Sequence, residues 1–388
     1  MDREEEAGCA KTGLREGWST GACATAACLA AWIGLRDGSV PSEVRVLFPD
    51  GKERGLKLAA ERCRVRSGVG EAALVKDGGD DPDCTHGAVI YARLRLCEPG
   101  EQRPEDYVLS AGGGVVLLRG IEGIGLCTRP GLDCEPGKWA VNIVPRRMIA
   151  ENLGRAGLDA GCVLAELGIE DGESLALKTL NPQLGIAGGL SVLGTTGIVR
   201  PYSHEAYLSS VRLCVRSHAL SGGSAVVFCT GGRTRNGARR ALAGLPETAF
   251  VSMGDFIAES LSAAAGQGMR NVVVACMPGK LCKYAAGLPN THAHTAGQDL
   301  DLLRREARCC LPGCAESAVA DCVSVREALE RLPRSQWLPL LRRLAWLALR
   351  NFRRWHPESG GPGDFHLENV PCSPSVFSDE SIWPLQRG

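Results

Sequence analysis

The loop KDGGDDPDCTHG at 76–87 sets Asp77, Asp80, Asp81, Asp83, Thr85 and His86 between two strand-like stretches. Carboxylates at this density can bind hydroxyls or cations, but their spacing is not that of a calcium loop. A second polar run, NTHAHTA at 290–296, holds Asn290 and Thr291, which can orient a substrate, and His292, which can take up a proton near neutral pH. Four glycine turns follow strand-like runs: GTTG at 194–197, TGGRTRNG at 230–237, SMGD at 252–255 and MPGK at 277–280. Neither GxGxxG nor GxxxxGK[ST] occurs, so both nucleotide-phosphate fingerprints are absent. At WSTGACATAACLAAWIGL, Ser19 and Thr20 are candidate N-caps, and the N–H groups around Thr20 and Gly21 can receive an anion. Pro145 opens another helix beside Arg146 and Arg147, two guanidinium groups that oppose the helix dipole and suit an anionic neighbour.

These groups need a scaffold, and the chain's 388 residues are enough for two domains. Equal numbers of basic and acidic residues, 44 of each, argue against wrapping nucleic acid. No apolar run is long enough for a membrane span, and the acidic start MDREEEAG is unlike a secretory signal, so a cytoplasmic protein is expected. The 18 cysteines include no CxxC pair and read as small buried hydrophobes in a reducing compartment. The cluster Cys309, Cys310, Cys314 and Cys322 is read as apolar packing, and no metal site is expected.

The first part of the chain alternates short β-branched runs with Gly, Asp and Pro, which predicts an α+β sheet domain over 1–150. From about 180 the rhythm becomes strand, glycine turn, helix, and the glycine run LGIAGGLSVLG reads as the first strand of that series. This predicts a C-terminal Rossmann-like α/β domain with a parallel sheet over 151–355, including C-terminal helices. In such sheets ligands gather at the carboxyl ends of the strands, so the four glycine turns are expected to share one rim. The basic helix WLPLLRRLAWLALRNFRRW is expected to pack on its domain, and 356–388 to form a poorly ordered tail.

Taken in order, the segments STGACATAA, GDDPDCTHG, GIEGIGLCTRPGL, AVNIVPRRMI, LNPQLGIAGGLSVLGTTGIV, GDFI, GKLCKYAAG and NTHAHTA resemble the cobalt-precorrin-5B (C1)-methyltransferases, the CbiD family of oxygen-independent cobalamin biosynthesis. The likeness spans roughly residues 12–300, with departures at Asp255, Cys276-Met277 and Ala293-His294. It implies methyl transfer from S-adenosyl-L-methionine to ring carbon C-1 of a cobalt-tetrapyrrole, the cobalt belonging to the substrate. A non-catalytic tetrapyrrole carrier, or a Rossmann-like transferase acting on another small molecule, is the competing reading.

Given that chemistry, His292 and His86 are candidates for accepting a proton. Gly194, Thr195, Thr196, Gly231, Gly232 and Asp255 are candidates for the cofactor, Asp255 through ribose hydroxyls. Thr20, Gly21, Asp81, Asp83, Thr85, Arg129, Asn142, Arg146, Lys280, Lys283, Asn290 and Thr291 are candidates for a carboxylate-fringed macrocycle. Neighbouring cobalamin-pathway enzymes and a second copy of the chain are compatible partners.

Overall fold

The computed structural model describes residues 13–269, 271–292, 297–311, 313 and 315–355. The acidic N-terminal run, Ala293, His294, Cys314 and the tail from 356 lie outside the described residues. The chain forms two compact units, one extending through Ser203 and the other from His204.

The first unit contains strands β1 (Gly17–Trp18), β2 (Glu43–Leu47), β3 (Glu53–Lys57), β4 (Arg64–Arg66), β5 (Val69–Val75), β6 (Val89–Leu96), β7 (Tyr107–Ala111), β8 (Gly114–Gly120), β9 (Leu126–Cys127), β10 (Cys162–Ile169), β11 (Ile186–Ala187) and β12 (Ile198–Val199). Its helices are α1 (Thr20–Asp37), α2 (Ile143–Arg155) and the short α3 (Gly172–Ala176) and α4 (Asn181–Leu184). Six strands make one mixed sheet in the order β4-β5-β6-β10-β8-β7. Alternation along β6 puts Ile90, Ala92 and Leu94 into the core while Arg93 faces out.

Helix α1 carries mainly Ala, Cys, Thr and Gly, and every residue from Thr20 to Trp32 is buried. Small side chains let it lie close to β5, β6 and α2, so it is enclosed on nearly all sides rather than amphipathic. The approach is closest at Gly70 of β5, where a Cβ would come to 2.1 Å from the Ala31 carbonyl oxygen. Gly70→Ala is therefore expected to destabilise this unit by about 3 kcal/mol, because backbone cannot yield as a side chain does. A thermal melt unchanged from wild type would contradict this packing.

The division falls at 203/204, later than the boundary at 150/151 read from the sequence, because β10 is a central strand of this sheet. It pairs antiparallel with β6 and parallel with β8, so residues past 150 cannot be separated from the first unit. The glycine run is likewise not the first strand of a parallel sheet. It is broken into β11, which pairs with β9, and β12, which pairs with β1. Positive φ at Gly185, Gly188, Gly194 and Gly197 prevents one continuous strand.

The second unit contains α5 (His204–Leu220), β13 (Ala225–Cys229), α6 (Gly232–Ala241), β14 (Phe250–Ser252), α7 (Ile257–Gly266), β15 (Asn271–Ala275), α8 (Pro278–Ala285), α9 (Leu300–Cys310), α10 (Ala315–Val319), α11 (Val325–Arg331) and α12 (Arg334–Trp355). Its sheet is three-stranded and parallel, in the order β14-β13-β15. The β13-to-β14 and β14-to-β15 crossovers run in opposite directions, so right-handed connection puts α6 and α7 on opposite faces. Helix α6 begins at Gly232, inside the TGGRTRNG stretch read from the sequence as a turn, with the Thr234 hydroxyl accepting the Gly231 N–H at 3.1 Å.

Helices α8, α9, α11 and α12 share a separate apolar cluster. In α12, Leu340, Leu341, Leu344, Ala348 and Phe352 are buried, so its apolar face is occupied by its own unit. No helix among the described residues is long and apolar enough to cross a membrane.

Candidate functional site

Three turns leave the carboxyl edge of the parallel sheet. Thr230 to Gly232 follow β13, Met253 to Asp255 follow β14, and Cys276 and Met277 lead from β15 into α8. The fourth expected turn, with Gly194, Thr195 and Thr196, follows no strand of this sheet and belongs to the first unit. There Thr196 Oγ1 accepts the Ile198 N–H at 3.2 Å, and Gly194 faces the Ser19 side chain.

At this rim one network gathers residues from far apart in the sequence. Thr291 Oγ1 donates to Asp255 Oδ1 at 2.8 Å, and Lys280 Nζ lies 3.0 Å from the same oxygen. Lys280 also donates to the Gly254 carbonyl at 2.8 Å, and Lys283 donates to the Thr291 carbonyl at 2.9 Å. The Thr291 N–H returns to the Asp255 carbonyl at 3.1 Å, and Asn290 Oδ1 accepts the His292 N–H at 3.0 Å. Asp255, Lys280, Lys283, Asn290 and Thr291, assigned from sequence to two different ligands, and His292, assigned to proton transfer, are thus neighbours.

Burial works against ionisation of Asp255, but Thr291, Lys280 and His292 together hold its carboxyl below the ordinary value. Among the described residues the direct side-chain contacts fall on Oδ1, so Oδ2 can accept from a ligand hydroxyl. The Gly231-Gly232 turn is equally open: a Cβ at either position would meet nothing within 4 Å. Packing does not demand glycine there, and a ligand can approach the backbone closely at the start of α6.

Three residues that sequence reasoning passed over complete the surroundings. His204, exposed at the start of α5, has its ring centroid 6.1 Å from that of His292 and 5.4 Å from that of Phe256. Tyr207 donates its hydroxyl to the Ser252 carbonyl at 3.2 Å, and burial, then Asp255, push its phenol up. Tyr284 is fully buried on α8, its acidity suppressed first by burial and then by Cys276. A lone histidine at a helix start and single tyrosines within apolar helices give no signal until the fold joins them.

The other assigned residues lie in the first unit. The N-terminus of α1 is not open to an anion: Gly21 donates its N–H to the Leu193 carbonyl at 2.8 Å and Ala22 donates to Ser19 Oγ at 3.1 Å. Thr20 Oγ1 accepts the Leu193 N–H at 2.9 Å, so both candidates anchor the 191–193 segment. The acidic loop is also built into the fold. Lys76, only 1% exposed, lies 2.7 Å from Asp83 Oδ2, while Asp83 Oδ1 accepts the Thr85 N–H at 2.9 Å. Burial raises the Asp83 carboxyl, but Lys76 and Thr85 outweigh it and hold it below its ordinary value. Nothing in the sequence marked Lys76 as buried.

Asp81 accepts the Tyr202 N–H at 3.2 Å. His86 Nδ1 accepts the Gly78 N–H at 3.0 Å, so a neutral His86 carries its proton on Nε2, and Nδ1 is committed to holding the turn. Arg129 lies against Gly185 and reaches the Gln183 carbonyl at 3.5 Å. Asn142 precedes α2 and donates its N–H to the Val192 carbonyl at 3.0 Å. Arg146 stacks 3.9 Å over the Tyr107 ring and donates to the Asp133 carbonyl at 3.0 Å.

Among the described cysteines all are free thiols; Cys309 is exposed, Cys310 half-buried and Cys322 buried. Burial pushes Cys23 and Cys276 each up to about 12. Brief treatment of native protein with a maleimide is expected to label Cys309 ahead of Cys23, Cys28 and Cys276, as read by peptide mass spectrometry. Equal labelling of Cys23 and Cys309 would contradict the enclosed position of α1. No group of three or more His, Cys, Asp or Glu able to hold a metal ion occurs among the described residues.

The rim thus gathers a carboxylate and two lysines, and comparison with known proteins gives the family of the chain. The protein of Dechloromonas aromatica named cobalt-precorrin-5B C(1)-methyltransferase is 39% identical over 366 residues, covering 93% of this chain and 88% of the relative. Proteins of the same name from Salinispora arenicola and Rubrobacter xylanophilus are 44% and 42% identical, covering 75% and 76% of this chain and 72% and 73% of theirs. A solved cobalamin biosynthesis protein (cbiD) from Archaeoglobus fulgidus is 24% identical with a TM-score of 0.36, covering 76% of this chain and 84% of that one. These curated relatives are named as C-methyltransferases. The CbiD family model matches residues 7–201, and the chain belongs to the CbiD family.

Proposed function

We propose that this chain transfers a methyl group from S-adenosyl-L-methionine to ring carbon C-1 of cobalt-precorrin-5B, giving cobalt-precorrin-6A in cobalamin biosynthesis. The observation that carries the site assignment is the convergence of Asp255, Lys280, Lys283, Thr291 and His292 at the carboxyl edge of the parallel sheet. On this reading the second unit is the Rossmann-like half of a cytoplasmic enzyme that works beside other enzymes of the pathway.

When bound, the methyl donor supplies an electrophilic methyl on a sulfonium. Asp255 then accepts ribose hydroxyls on Oδ2, while Lys280 and Thr291 fix its orientation through Oδ1. The backbone at Gly231 and Gly232 receives the donor at close range. Lys280 and Lys283 set positive charge at the rim, where a carboxylate-fringed macrocycle is favoured. His292, held by Asn290 through its backbone, accepts the proton that C-methylation releases. Most of the rate is asked of alignment, and held reactants can lower a barrier by roughly 7–11 kcal/mol.

Anaerobic incubation of the purified chain with cobalt-precorrin-5B and methyl-labelled S-adenosylmethionine tests the proposal. Label at C-1 of the tetrapyrrole, found by mass spectrometry, is the expected result. Tetrapyrrole binding without transfer of label would point to a carrier instead.

A further inference from the structure

The second unit holds a cavity of about 780 Å³ between α5, α7 and the end of α12. The residues lining it include Arg212, Arg216, Arg354, Glu259 and Trp355. Its size falls within the range of small-molecule sites. Arg212 is already paired with Glu205 at 2.8 Å. Glu259 lines the same cavity, and its Oε2 has no hydrogen-bond partner among the described residues.

Both signs of charge therefore line one cavity. A ligand carrying only carboxylates would meet the arginines favourably and Glu259 unfavourably. A zwitterion with an ammonium and a carboxylate a few ångströms apart satisfies both, since Glu259 can accept from the ammonium while Arg216 and Arg354 donate to the carboxylate. The position agrees: Ala258, which lines the cavity, is three residues beyond Asp255 and donates its N–H to the Pro289 carbonyl at 3.4 Å, beside Asn290. Tyr207, about one and a half turns before Arg212 and Leu213 on α5, lies close enough to Asp255 to have its acidity altered by it.

We infer that this cavity receives the α-amino-acid end of the methyl donor, with Glu259 accepting from its ammonium and Arg216 and Arg354 binding its carboxylate. The inference rests on the proposed function and extends the donor site from Asp255 along α7.

Isothermal titration of the full chain with S-adenosylhomocysteine, with 5′-methylthioadenosine, which lacks the amino-acid group, and with L-methionine tests it. Wild type is expected to bind S-adenosylhomocysteine at least about tenfold more tightly than 5′-methylthioadenosine, as charge-assisted hydrogen bonds require. Arg216→Ala and Glu259→Gln should each bring that ratio toward one while affinity for 5′-methylthioadenosine stays at the wild-type value. Variants that keep the wild-type ratio overturn the inference and leave the methyl-transfer proposal standing. L-methionine binding as tightly as S-adenosylhomocysteine also overturns it, by making the cavity a free amino-acid site. Failure of both nucleosides to bind wild type overturns the choice of methyl donor, and this inference with it.

Discussion

Asp255→Asn is expected to lower kcat/KM for methyl transfer by about a hundredfold while leaving the fold intact. The substitution removes the charge opposite Lys280, leaving that ammonium only neutral acceptors, and replaces one of the two carboxylate oxygens by an NH2 donor. Hydrogen bonds to charged groups contribute about 1.5–3 kcal/mol, and each 1.36 kcal/mol is a factor of ten in rate. Steady-state kinetics with wild-type and variant protein decide the matter, and a change under twofold would remove Asp255 from the site. The sign of its pKa shift adds a second reading. Because the folded carboxyl is held below its ordinary value, Asp255 stays ionised through the neutral range and any acid limb near neutrality must come from another group.

Lys76→Ala should lower stability by an amount comparable to Gly70→Ala. It would strip Asp83 of the ammonium that balances its partly buried charge, at a cost of about 2–3 kcal/mol given that solvent still reaches the carboxylate. In a unit of this size that corresponds to a fall in Tm of roughly 5–10 °C. Lys76→Met combined with Asp83→Asn should recover much of the loss, because no charge is then left without its partner. The pH dependence has a definite direction: the folded pKa of Asp83 is depressed, so its contribution is complete above the unfolded value of about 3.9 and is lost as pH falls through the folded value. Equal Tm for wild type and Lys76→Ala would show that the loop at 76–87 is not held as described.

Local signals in the sequence were sufficient for several elements. Ser19 followed by an Ala-rich run marked α1, the alternation AVIYARLRL marked β6, and AVVFC, AFVS and NVVVA marked the three parallel strands. The unit boundary was not legible, since β10 looks like any apolar strand and only its pairing with β6 and β8 ties it to the first unit. The glycine run misled for a related reason: Leu, Ile and Val between glycines read as a strand, while positive φ at four of those glycines divides it into two-residue pieces.

Half of the site was visible in the same way. Asp255, Lys280 and Thr291 stood out as polar residues in turns, yet their mutual contact depends on the loop at 288–292 returning to the sheet edge, which no local pattern encodes. Asp83 and Thr20 show the reverse case. Each looks like a group available to a ligand, and each is consumed by the fold.

The most direct test of the account is hydrogen–deuterium exchange of the full chain with and without S-adenosylhomocysteine. Protection is expected in peptides covering 230–237, 253–260 and 277–283, at the carboxyl edge of the parallel sheet and the first turn of α7. Protection confined to peptides covering 19–27 and 194–197 would contradict it, because the methyl donor would then be held by the glycine turn of the first unit.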